Sequence, residues 1–108
     1  MERGAKRSKM DIYADILEVL KHRTNSKITR ISYAVGLPVD RAKRFLIDLS
    51  SYGLASIQGG EETFYSITHR GLEFLDSYRK LASFLSFLDE KERAGAAMST
   101  RPGQDERD

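Results

Sequence analysis

Arg41, Lys43 and Arg44 put two guanidinium forks and one ammonium within four residues. These donors suit phosphate oxygens and, for arginine, the paired acceptors on a guanine edge. Arg41 and Arg44 are three apart, so a helix carrying them brings both to one face, where each can grip phosphate or make a bidentate contact to guanine. Lys43, a single point charge, suits phosphate. Val39 and Asp40 stand just before this group, and Ile47 lies further along the same outward side. Phosphate repels Asp40, but a helix N-terminus favours it, so capping is its expected role and acceptance from a cytosine amino group the alternative.

Lys27, Thr29 and Arg30 offer an ammonium, a hydroxyl and a guanidinium at the start of another element, a combination that fixes register along a phosphate chain. Arg3, Lys6, Arg7 and Lys9 form a basic N-terminal arm that adds charge without sequence preference. Taken alone, a charged outward helix face is most often only solvated. The elements carrying these residues therefore decide their meaning.

Other chemistry has no foothold. The chain has no cysteine and two histidines, His22 and His69, each at an expected helix boundary. Thiolate metal sites, disulfides and cysteine nucleophiles are excluded, and the histidines suit surface or cap roles. Glu61 and Glu62 fall on a turn, and Asp89, Glu90 and Glu92 at a helix end, with no companion base or nucleophile. No Gly-rich phosphate loop or Ser/His/Asp set is present. The expectation is a protein without enzymatic activity, metal, cofactor or small-molecule ligand.

The elements follow from caps and periodicity. Ser8-Lys9-Met10-Asp11 reads as a capping box opening a helix whose Ile12, Ile16, Leu17, Val19 and Leu20 recur at helical spacing, stopping near Thr24-Asn25. Ser26 is the expected cap of a short second helix, with Ile28, Ile31 and Val35 inward and Gly36 ending it. A third helix runs from about Pro38 to Tyr52, buries Ala42, Phe45, Leu46 and Leu49, and is closed by Gly53. Leu54 to Gln58 and Thr63 to Ile67 form a β-hairpin around Gly59-Gly60-Glu61-Glu62. Thr68 caps a long last helix.

Helix, helix, tight turn, helix, hairpin, helix is the winged helix-turn-helix order, a mainly α fold with a small β-hairpin. The expected divisions are a flexible basic arm (1–7), the winged domain (8–68), a C-terminal helix (69–93) and a disordered tail (94–108). In this fold the third helix enters the major groove of double-stranded DNA and the second positions it. The acidic tip argues against deep minor-groove insertion and leaves contacts there to Gln58, Thr63 or backbone amides.

Charge agrees with this polarity. Residues 1–53 hold eleven Lys/Arg against six Asp/Glu, and 54–108 hold seven against ten, giving +5 and −3 for a whole-chain net of +2. A polyanion would meet the N-terminal half. No run of residues approaches the roughly 20 apolar ones needed to span a bilayer. A cytoplasmic, nucleoid-associated protein is the expectation.

In the last helix Phe74, Tyr78, Leu81, Leu85 and Leu88 follow spacings of 4, 3, 4 and 3, a two-stranded coiled-coil seam. Leu72 and Leu75 lie on a neighbouring face and are expected to pack back on the domain, while Phe84 and Phe87 add apolar surface outside the seam. A homodimer follows. The competing reading is an adaptor that uses the winged domain or the apolar last helix to bind another protein.

Several stretches between Ser8 and Leu88 together resemble a small archaeal winged-helix DNA-binding family. They are SKMDIYADI from Ser8, Thr29-Arg30-Ile31 with Tyr33, Lys43-Arg44-Phe45-Leu46 with Leu49 and Gly53-Leu54, and Tyr65-Ser66-Ile67-Thr68 with Gly71-Leu72 and Leu75. Order and spacing carry the resemblance, and Pro38, in place of a frequent serine cap, and Asp40 depart from it. The resemblance implies DNA binding in chromatin packaging or transcriptional control, and dimerisation through an antiparallel coiled coil of the last helices.

Overall fold

A computed structural model describes residues 7–97, with side chains as far as Lys91. Arg3 and Lys6 of the expected arm, and the expected tail from residue 98 onward, lie outside the described residues. Helix α1 (Lys9–His22) opens on the capping box: the Ser8 hydroxyl accepts from the Asp11 amide at 3.0 Å, and the Asp11 carboxylate accepts from the Ser8 amide at 3.1 Å. Its stripe of Ile12, Ile16, Leu17 and Leu20 is buried. Tyr13 is buried beside it, edge-on to Phe45 and Tyr52 with ring centroids 5.7 and 6.1 Å away. The helix ends at His22, short of Thr24-Asn25, as the chain turns extended at Arg23 and then left-handed at Asn25 (φ 56°).

Helix α2 (Ile28–Val35) corrects one expectation, because Ser26 is not its cap. The Ser26 amide donates to the Tyr65 carbonyl at 2.9 Å, and the Ser26 carbonyl accepts from the Tyr65 amide at 2.8 Å. Its side chain is buried and donates to the Arg23 carbonyl at 3.3 Å. A hairpin edge presents unpaired backbone groups that need partners, and this exchange satisfies two of them. Lys27 takes the cap position without a side-chain cap bond. At the other end Gly36 adopts φ 71°, and its amide reaches the carbonyls of Ser32 and Tyr33. A β-carbon is unfavourable in this left-handed conformation.

Helix α3 (Val39–Ser51) starts one residue after Pro38 and buries Ala42, Leu46 and Leu49, with Phe45 half-buried. Strands β1 (Ala55–Gln58) and β2 (Phe64–Ile67) pair antiparallel in the register Ala55 to Ile67, Ser56 to Ser66, Ile57 to Tyr65 and Gln58 to Phe64. The connecting loop spans 59–63, so Thr63 belongs to it rather than to the strand. Side-chain alternation puts Ala55, Ile57, Tyr65 and Ile67 on one face of the hairpin and Ser56, Gln58, Phe64 and Ser66 on the other. The first face closes over the helices, burying Ala55 and Tyr65.

Helix α4 (His69–Ala97) is opened by Thr68, whose hydroxyl accepts from the Gly71 amide at 2.9 Å and donates to the Gly53 carbonyl at 2.7 Å. It continues four residues past the expected end at 93, because Ala94, Ala96 and Ala97 favour helix strongly enough to carry Gly95. Leu75 is buried, but Leu72 is 39% exposed, so of the two residues expected to pack back only Leu75 does so fully. The chain divides into two units between Asp76 and Ser77. In the first, three helices and a hairpin enclose a core centred on Ile16, Leu17, Leu20, Ile31, Leu46 and Leu49. The order and composition are those of a mainly α winged helix-turn-helix domain followed by a C-terminal helix.

Gly71 is fixed by close approach. A β-carbon there would sit 2.1 Å from the Leu54 carbonyl oxygen and 2.7 Å from Ile67 Cγ1, whereas one at Gly59 meets nothing within 4 Å. Gly71→Ala is expected to lower the unfolding free energy by about 3 kcal/mol, read as a fall in the urea midpoint. Gly59→Ala should change it by less than about 0.5 kcal/mol.

Candidate nucleic-acid interface

Helix α3 turns Asp40, Arg44, Ile47 and Ser51 directly outward, opposite the buried Ala42, Leu46 and Leu49, with Lys43 on one flank and Arg41 on the other. Each flank borders a groove. One, of about 570 Å³, lies between α3, the start of α2 and the hairpin. Lys43 and Ile47 form one wall, Lys27 and Thr29 the second, and Ile57, Glu62 and Thr63 the third. The other, of about 260 Å³, gathers Lys9 from the start of α1 with Arg41, Arg44, Phe45 and Asp48.

The expected cations are thus brought together in two groups rather than one. Lys43, Lys27, Thr29 and Thr63 line the hairpin groove, while Arg41, Arg44 and Lys9 line the α1 groove. Arg30 is exposed on α2 and lines neither, Val39 is half-buried, and Asp40 is exposed in the first turn of α3, where the helix dipole favours it. Gln58 projects from the hairpin face opposite Ile57, away from the groove.

Internal partners temper some of these groups. Lys27 Nζ lies 3.0 Å from a Glu62 carboxylate oxygen and 5.9 Å from the centre of the Phe64 ring, which ties the hairpin tip to the start of α2. Both charges are about half exposed, so the pair is weak. The Arg41 guanidinium lies over Phe45, 5.7 Å from the ring centre. Asp48 accepts from the Tyr13 hydroxyl at 3.2 Å. Burial first, then hydrogen bonds with Tyr52 and Asp48, raises the Tyr13 phenol well above its ordinary value. The Tyr13 hydroxyl is thereby held in its protonated, donating form toward Asp48 at neutral pH.

Arg7 departs from the flexible arm expected of it. One guanidinium nitrogen donates to Asp15 Oδ2 at 2.7 Å and the other to the Val35 carbonyl at 2.9 Å. Its side chain is only 18% exposed. The carbonyls at the end of a helix lack partners within the helix, and Arg7 supplies one at the end of α2. It is a clasp between α1 and α2, with a donor from each terminal nitrogen already engaged.

Ile57 and Glu62 are the groove residues that sequence reasoning missed. The two-residue alternation of β1 carries the signal for Ile57, on the inner face with Ala55, whereas Glu62 joins through its ion pair with Lys27. Among the described residues no group of three or more His, Cys, Asp or Glu side chains is arranged to hold a metal ion. His22 and His69 each face a carboxylate one turn away, Glu18 at 3.0 Å and Glu73 at 3.5 Å. Among the described residues no helix is long and apolar enough to cross a membrane.

In the unit from Ser77 onward, Leu81, Phe84, Leu85, Phe87 and Leu88 are between 44% and 58% exposed. Phe74 and Tyr78, the other members of the expected seam, are half-buried.

The winged helix-turn-helix family model matches residues 6–86. The chain belongs to that family. A winged helix-turn-helix structure similar to it is the DNA-binding protein Sso10a-2 from Sulfolobus solfataricus, 25% identical with a TM-score of 0.75, over 87% of this chain and 99% of that one. A possible HxlR family transcriptional factor from Thermoplasma volcanium is 23% identical with a TM-score of 0.59, over 83% of this chain and 87% of that one. MepR of S. aureus, solved as a complex with DNA, is 11% identical with a TM-score of 0.61, over 82% and 76% of the two chains. The last two share the fold. No curated protein sequence matches the chain.

The Arg7 clasp has a measurable weight. Arg7→Ala is expected to lower the unfolding free energy by about 1–2 kcal/mol, since it strips charge-assisted bonds from a partly buried carboxylate and a helix-end carbonyl. The exposed Lys9→Ala should stay within about 0.5 kcal/mol of the parent. Thermal or urea unfolding followed by circular dichroism separates the two.

Proposed function

We propose that this chain binds double-stranded DNA as a homodimer, in transcriptional regulation or in organising the nucleoid of the cell that makes it. The observation carrying the reading is the outer face of α3, where Ile47 joins Lys43 and Lys27 along one groove and Arg44 joins Arg41 and Lys9 along the other. A recognition helix in a major groove needs such an arrangement, with base-contacting groups at its crest and phosphate-contacting groups on both flanks. Membership of the winged helix-turn-helix family and likeness to an archaeal DNA-binding protein support it.

In this reading Arg44 contacts base edges, while Lys43, Lys27, Thr29, Arg41 and Lys9 position the protein on the two strands. Asp40 favours a cytosine amino group or serves only the helix dipole. Arg30 and Thr63 contact the backbone at the edges of the interface. Gln58 contributes little, because it points to the other face of the hairpin. Arg7 contributes through the shape of the domain rather than through its charge.

The reading is tested by a salt titration of duplex binding. Wild type should bind at low salt, with affinity falling steeply as salt rises, and replacing Arg41, Lys43 and Arg44 together by alanine should weaken binding at least about 100-fold and flatten the salt slope. Undetectable binding at low salt, or a triple variant that binds like wild type, would overturn the reading in favour of a protein-binding adaptor.

Dimerisation through helix α4 in the span 69–93 rests on the exposed Leu81, Leu85 and Leu88 at heptad spacing, with Phe84 and Phe87 beside them. Two copies would present two recognition helices to two half-sites and double the phosphate contacts. Replacing Leu81 and Leu85 by glutamate should yield monomers in sedimentation equilibrium; variants that still dimerise would show that the seam lies elsewhere.

A further inference from the structure

Ile47 is the one aliphatic side chain on the crest of α3, and it is 58% exposed. It stands four residues beyond Lys43 and three beyond Arg44, so both cations lie one turn toward the helix N-terminus, one on each side of it around the helix. Across the hairpin groove it faces Ile57, which extends the inner face of β1 beyond the buried Ala55 and is 38% exposed. Lys27, Lys43 and Glu62 rim the same groove, with Glu62 3.0 Å from Lys27, so the rim is cationic on balance. An apolar floor within a cationic rim matches a partner that is anionic at its edges and locally apolar between them.

We propose that Ile47 reads the 5-methyl group of thymine in the major groove, and so biases this protein toward sites with a thymine beneath the middle of α3. The inference rests on the DNA-binding reading and adds a specificity determinant to it. Among the four bases only thymine shows an apolar group in the major groove; the others offer donors and acceptors that isoleucine cannot satisfy. Setting Ile47 against a guanine, adenine or cytosine edge would strip water from polar atoms without replacing it, whereas a thymine methyl removes apolar surface from water on both sides. Arg44 and Lys43, holding a base edge and a phosphate on either side, would fix the depth at which the isoleucine meets the base.

The test isolates the methyl group. Wild type and Ile47→Ala, each as the full chain, are titrated by fluorescence anisotropy against a short alternating dA-dT duplex and against its counterpart in which every thymine is replaced by uracil, which lacks only that methyl. Wild type should bind the thymine duplex about fourfold more tightly for each methyl contacted. Ile47→Ala should bind both duplexes equally and retain the salt dependence of wild type. Ile47 is exposed, so the variant should keep the parent's circular dichroism and unfolding midpoint. Equal wild-type affinity for the two duplexes, or a preference that survives in Ile47→Ala, overturns the proposal while leaving DNA binding intact. No binding to either duplex at low salt removes the DNA-binding reading itself, and the proposal with it.

Discussion

The carbonyls of Gly53 and Leu54 are where the domain is tied together. The Leu54 amide donates back to the Leu49 carbonyl and ends α3, while the Leu54 carbonyl accepts from the Thr68 amide as β2 leaves the hairpin. The Thr68 hydroxyl donates to the Gly53 carbonyl and accepts from Gly71, the first turn of α4. Four element ends converge on two adjacent residues, and they can do so only because Gly71 brings no side chain to the Leu54 oxygen. The hairpin's angle to α3, and with it the width of the groove beside Lys43 and Ile47, is set at this junction. The Ser26 exchange with Tyr65 holds the hairpin from its other edge, so the groove's hairpin wall is fixed on both sides by backbone bonds rather than by exposed side chains.

The two flanks of α3 differ in kind. On the α1 side, Arg41 and Arg44 share their groove with Asp48, which is itself held by the buried Tyr13 hydroxyl. A fixed carboxylate among cations lowers the local potential but constrains where an incoming anion can sit. On the hairpin side, the apolar pair Ile47 and Ile57 lies beneath lysines on long, flexible stems. The first flank is built for position, the second for adaptable charge around an apolar surface.

Much of the fold could be read along the chain because its punctuation is local. The Ser8 and Asp11 capping box, the left-handed Gly36, and Thr68 beneath the first turn of α4 each act within four residues and stand where spacing put them. The failures lie where a residue's partner is distant. Ser26 resembles a cap until Tyr65 claims its backbone, 39 positions away. Arg7 resembles an arm until Asp15 and Val35 claim its fork. For the candidate site, the helix pattern placed Arg41, Lys43 and Arg44 on the outside but could not show that they divide between two grooves, nor that Ile57 and Glu62 would join one of them. That division depends on how the hairpin and α1 pack against α3, and no window of contiguous sequence contains it.

The Lys27 and Glu62 pair turns DNA binding, under the proposed function, into an exchange reaction. A free lysine that meets a phosphate gains a partner; Lys27 trades one, giving up a carboxylate 3.0 Å away and leaving Glu62 to be hydrated or to take up a cation from solution. The trade still releases the cation condensed on that phosphate, but it gives up the attraction between Lys27 and Glu62. Lys27 then adds less to affinity than a lysine with no partner to leave, and the hairpin, still held by its backbone bonds to Ser26 and Leu54, keeps its place as the duplex arrives.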